Sequence, residues 1–187
     1  AHHYRIHLWD QNKPIRALTS GAQCGQSAPG IAHMWHMPGH IYSKLKRWDD
    51  SAFAQEASAR TDHRYMISRR VLPDQIHNYA HNQEWLARSL SYVGAADAAL
   101  AVAKNLTELP RHPKWNRVEE GDEIAGYARA RLVQVCEDFE LWEQAVACVD
   151  HVELGVVGVQ PQRLHLGIVR ECAIDHLGSV DAEVAGL

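Results

Sequence analysis

Apolar side chains recur at intervals of three and four through most of the chain. Leu86, Leu90 and Val93 keep that spacing, and so do Leu100, Ala103 and Leu106. Such an interval puts the residues on one face of an α-helix. No stretch alternates apolar and polar residues for long, so the pattern predicts no sheet and an all-α fold. Pro73, Pro110 and Pro113 interrupt the pattern and mark breaks or lengthened helix ends. No apolar run reaches the roughly 18 residues that a spanning helix needs, so no membrane span is predicted.

Small and apolar residues also recur over longer distances. Trp35, Gly39 and Tyr42 lead into a tight turn at Lys46 and Arg47, then Trp48 and the small Ser51. Ala17, within Ile15–Leu18, stands 34 residues before Ser51 (51 − 17), and Pro29 closes that unit. Leu86, Ala87, Leu90, Gly94, Ala99 and Ala103 form a similar unit, and Leu132, Cys136, Trp142, Ala145 and Val149 another. A weaker one starts near Leu164 and turns at Gly178. The predicted helical hairpins are 1–30, 31–62, 77–109, 124–155 and 162–187. The intervals Ser51 to Ala99 and Ala99 to Ala145 are 48 and 46 residues, longer than the first. The extra length falls in 63–76 and 110–123, which are expected to be lengthened connections projecting from one face.

The segment from Trp35 to Tyr42 carries the Trp, Gly and Tyr of a W-x2-L-G-x2-Y pattern, with Pro38 where Leu is usual. Over about residues 1–155 the chain resembles the tetratricopeptide-repeat family. That resemblance implies an α-solenoid of four to five hairpins in a right-handed superhelical stack, its first helices lining a concave groove. The run from His36 to Tyr42, with His3 to His7 before it and His81-Asn82 after it, is more specific. It resembles a group of bacterial tetratricopeptide proteins with an HMPxHIY signature, which share the proline at Pro38. The resemblance implies an architecture and a marked site without a reaction, in a soluble protein of bacterial cytoplasm or periplasm.

Thirteen histidines stand against two Phe and three Met, and the net charge is −4 with His neutral. That balance argues against a nucleic-acid partner, which requires a basic face. Charging half the histidines would reverse the sign, so the surface responds to pH near neutrality. The histidines are also patterned. His3 and His7, His36 and His40, and His77 and His81 are all four apart. Residues at that spacing lie one above the other on a helix. The first two pairs align as repeats and fall on first helices, while His77 sits at or before the start of its helix. Stacked hairpins would bring these imidazoles onto one groove.

Three chemistries fit such a groove. The reading preferred from sequence is a binding or scaffolding module that takes a peptide, a protein segment or a small ligand in the groove, with His3, His7, His36, His40, Tyr42, His77, His81 and Asn82 as contacts and imidazolium favouring acidic partners. The groove could instead hold zinc, copper, nickel or iron on His3, His7, His36, His40, His77 and His81, with Asp10, Asp62 and Asp74 near enough in sequence to add oxygen ligands. An open coordination position would then allow a metal-dependent enzyme. Third, the histidines could satisfy one another and loop carbonyls. Pro38 affects all three, since a helix must either start near it or bend there. In the first case His36 and His40 are not one helical pair. No nucleophile elbow, phosphate loop or dinucleotide turn accompanies these residues. Cys24, Cys136, Cys148 and Cys172 form no CxxC and read as small buried residues.

Overall fold

The computed structural model of the protein describes residues 1–110 and 124–145. The expected hairpin at 162–187, the second half of the one at 124–155 and nearly all of the connection at 110–123 lie outside the described residues. Among those described, every element is helical. The α-helices are α1 (His2–Asp10), α2 (Leu18–Ser27), α3 (Ala32–Lys44), α4 (Trp48–Arg69), α5 (His77–Tyr92), α6 (Ala96–Thr107) and α7 (Ile124–Asp138). Short 3-10 turns at Pro14–Ala17 and Pro73–Gln75 precede α2 and α5. Each helix packs on the next through α5, and α6 packs on both α5 and α7. The odd-numbered helices also touch in sequence, α1 on α3, α3 on α5 and α5 on α7.

One backbone turn occurs three times. After α3, Lys46 takes φ 56°, its N–H donates to the Ser43 carbonyl, and the Arg47 N–H donates to that of Tyr42. After α5, Gly94 takes φ 78°, with Gly94 N–H to Ser91 and Ala95 N–H to Leu90. After α7, Glu140 takes φ 54°, with Glu140 N–H to Glu137 and Leu141 N–H to Cys136. This paired closure satisfies carbonyls that a helix end would leave bare. The left-handed residue costs about 1–2 kcal/mol when it carries a side chain, as Lys46 and Glu140 do. A new helix starts two residues later, at Trp48, Ala96 and Trp142. One turn further on stand Ser51, Ala99 and Ala145, all buried where helices approach closely.

An Ala99→Leu substitution is therefore expected to overfill the cluster of Ala87, Ala103, Leu132 and Cys136 around it. The expected loss is about 1–3 kcal/mol, read as a lower urea midpoint with an unchanged slope. An unchanged midpoint would mean that the site is not closely packed.

The connection expected at 63–76 is shorter than its sequence suggested. Residues 63–69 continue α4, because Met66 keeps the helix buried against Ala59 and Tyr79. Arg70 then turns left-handed at φ 55°, and the Val71 N–H donates to the Met66 carbonyl. Arg69 and Arg70 are exposed. Helix α3 runs unbroken through Pro38. It does not start there, so His36 and His40 are one helical pair.

Among the described residues, the two largest apolar clusters lie on either side of α4 in chain order. Ile6, Ala17, Cys24, Met37 and Ile41 join α1, α2 and α3, while the Ala99 cluster joins α5, α6 and α7. Helix α4 contributes a polar line between them. Ser51, Gln55, Ser58 and Asp62 are all buried, at intervals of four, three and four. Each has a partner, as burial demands. Ser51 Oγ lies 3.0 Å from Ser89 Oγ and 3.3 Å from the Gly39 carbonyl, while Ser58 Oγ donates to the Ala32 carbonyl at 2.7 Å. Asp62 Oδ2 accepts from Asn78 Nδ2 at 2.8 Å and Asn82 Nδ2 at 3.2 Å. Gln55 reaches the histidine site.

Candidate metal centre

Helix α3 has two working faces. Met37 and Ile41 face the apolar cluster. His33, His36 and His40, at i, i+3 and i+7, make a stripe on another. Each end of the stripe meets histidines from a different helix. His36 and His40 converge with His81 of α5, and their ligand atoms all lie within 4.8 Å of one another. His33 converges with His3 and His7 of α1 under the same limit. The imidazoles thus form two groups of three rather than one array.

The inner group is the buried one. His36 is 1% exposed, and His40 and His81 are half-buried. The His36 and His40 Nε2 atoms are 2.7 Å apart. His36 Nδ1 lies 2.7 Å from Gln55 Oε1. An amide oxygen only accepts, so His36 carries its proton on Nδ1 and leaves Nε2 with a lone pair. His40 then donates its Nε2 proton to that lone pair. Gln55 can approach so closely because position 39 is glycine: a Cβ there would overlap the Gln55 amide. Trp85 borders the group, with its ring centroid 4.7 Å from that of His40 and 6.1 Å from that of His81.

Burial and repulsion by neighbouring imidazoles keep His36 and His40 neutral. Desolvation, then the nearby His40 and His81, pull His36 down to about 3, against a small upward pull from Gln55. Desolvation also lowers His40 to about 4, although the Asp10 carboxylate works against it. A neutral imidazole coordinates a metal through a ring nitrogen that carries no proton, so an ion entering between His36 and His40 would displace the proton they share.

The outer group faces solvent. His3 is half-buried, and His7 and His33 are exposed. The Nε2 atoms of His3 and His7 are 3.2 Å apart. The His33 ring lies 5.1 Å from His3 and stacks on His36 at 5.8 Å, centroid to centroid. Desolvation, followed by His7 and His33, lowers the pKa of His3.

Other expected contacts fall elsewhere. Tyr42 is on the opposite side of α3, near Gly21 of α2 and under the Arg47 guanidinium at 5.2 Å. It is not brought to the histidines. His77 opens α5, and its side chain lies outside the described residues. Asn82 is buried against Asp62 and serves the packing of α5 on α4. Among the expected oxygen ligands, Asp62 is held by the two asparagines, and burial raises its carboxyl pKa. Asp10 accepts from Gln11 and lies 3.9 Å from Lys44 Nζ, and Asp74 belongs to the 3-10 turn before α5. His33 and Gln55 are the additions. His33 stands three residues before His36, a helical spacing that a search for intervals of four passes over. Gln55 carries no sequence signal, since a buried glutamine and an exposed one look alike.

No known protein family, curated protein or solved structure matches the chain.

Proposed function

We propose that the protein binds a first-row transition-metal ion, zinc(II) or copper(II), on His36, His40 and His81. The carrying observation is the convergence of three imidazole nitrogens from two helices within 4.8 Å of one another. Gln55 supports it as the outer partner that fixes the tautomer of one ligand, a common companion of metal-bound histidine. Three histidines leave a fourth position for water or a ligand, so both simple binding and metal-assisted chemistry are compatible with the site. The rival groove for an acidic peptide needs charged imidazoles, and burial opposes that at His36 and His40. We read the scaffold as a solenoid of the tetratricopeptide type. The turn recurring at Lys46, Gly94 and Glu140, and the contacts among odd-numbered helices, support that reading.

The test is elemental analysis after loading with zinc(II) or copper(II) chloride and exhaustive dialysis at pH 7.5. The protein is expected to keep stoichiometric metal and to release it as pH falls, because protons compete for the donors. Metal-free protein after dialysis, with acidic peptides binding more tightly as pH falls, would establish the groove instead.

A further inference from the structure

The outer histidines have their own donors and geometry. We propose that His3, His7 and His33 hold a second ion of the same class, and that this ion fastens α1 to α3. In a tetrahedral site with ligands at 2.0–2.1 Å, two nitrogens stand about 3.3 Å apart. The Nε2 atoms of His3 and His7 are already 3.2 Å apart, a pair set by their i,i+4 spacing on one helix. His33 completes the group from the other helix, with all three ligand atoms within 4.8 Å. The exposure of His7 and His33 leaves the remaining positions of such an ion open to solvent.

The mechanical role follows from how α1 is held. Ile6 is its one fully buried residue, Trp9 packs partly buried on the same cluster, and Lys44 of α3 reaches Asp10 and Gln11 at its end, while Tyr4 and Leu8 are 78% and 64% exposed. One buried isoleucine contributes about 1.5–3 kcal/mol, and with the half-buried Trp9 it is a modest hold for a whole helix. An ion bridging His3 and His7 to His33 would tie α1 to α3 directly, and binding energy would become docking energy. The two sites share only the stripe on α3, where His33 stacks on His36. The outer proposal therefore stands or falls apart from the inner one.

The test loads the full chain with zinc(II) chloride, removes excess by gel filtration, and combines elemental analysis with hydrogen exchange. Wild type is expected to hold two ions, and His33→Ala and His81→Ala one each. Because His33 is exposed, its loss should leave the circular dichroism unchanged. Zinc should slow amide exchange across 5–10 at least tenfold in wild type and in His81→Ala, and leave His33→Ala unaffected. A single ion lost in His33→Ala and kept in His81→Ala supports the outer site while sinking the inner one. Two ions in His33→Ala, a single ion kept by His33→Ala and lost by His81→Ala, no bound ion, or zinc protection of α1 that survives in His33→Ala would each overturn the proposal.

Discussion

Replacing His40 by alanine is expected to weaken metal binding at the inner group by at least about 100-fold. Two donors then remain, and a partner mutated behind a retained ligand costs only about 10–100-fold. Gln55→Leu provides that comparison. It removes the acceptor for His36 Nδ1–H and frees the ring to take the other tautomer, while all three donors stay. The order of loss should therefore be His40→Ala above Gln55→Leu above wild type. His63→Ala, exposed on α4, should bind as wild type does. Competition titration against a chelator of known affinity measures all four. Loss of the His40 Nε2 partner leaves a buried His36 nitrogen bare, at a stability cost of about 1–3 kcal/mol. Circular dichroism must accordingly show the variant folded at the assay temperature. Normal binding by folded His40→Ala would remove the inner group from consideration.

Acid is expected to destabilise the metal-free protein by several kcal/mol between pH 6.5 and about 4. In the unfolded chain His36 and His40 take up protons near 6.5. In the folded chain they do so only at about 3 and about 4. Between those limits the unfolded state binds more protons, so stability falls as pH falls. The full contribution is present above 6.5 and disappears toward the folded values. Each histidine contributes about 1.4 kcal/mol per pH unit within that window. The groups acting on the pair are known: His81 from α5, His33 from α3, His7 and Asp10 from α1, and Gln55 from α4. Asp62 acts in the opposite sense, since its raised carboxyl favours the folded state in acid, but it is one group against two. Urea midpoints at pH 7.5 and 4.5 in the presence of a chelator measure the effect. Equal midpoints would mean that the two imidazoles are hydrated, and would contradict their burial.

Periodicity and small residues made much of the scaffold legible. The Lys46–Arg47 turn, Trp48 and the sites at Ser51, Ala99 and Ala145 are local features, and the fold uses them where the sequence puts them. The i,i+4 pairs His3–His7 and His36–His40 were legible for the same reason, because helix geometry alone brings their rings together. What escaped depended on rotation and depth. Tyr42 shares a motif with His36 and His40 but points to α2, because two residues beyond His40 is half a helical turn. Proline at 38 left two readings open from sequence, and the continuous α3 selects one. The single groove expected for six histidines divides in two, because α1 and α5 meet α3 at different heights. Nothing in a linear pattern reports such an offset.

The polar line on α4 has a further consequence. An apolar interface fixes axial position only through the shapes that interdigitate. Ser51, Gln55, Ser58 and Asp62 instead meet fixed counterparts on α3 and α5. Axial slippage of α4 by one residue, about 1.5 Å, would misalign all four contacts together. Intermediate positions are then penalised as heavily as distant ones, and the three helices engage like teeth of matched pitch. A donor set on α3 and α5 gains a defined spacing from an element that contributes no ligand of its own.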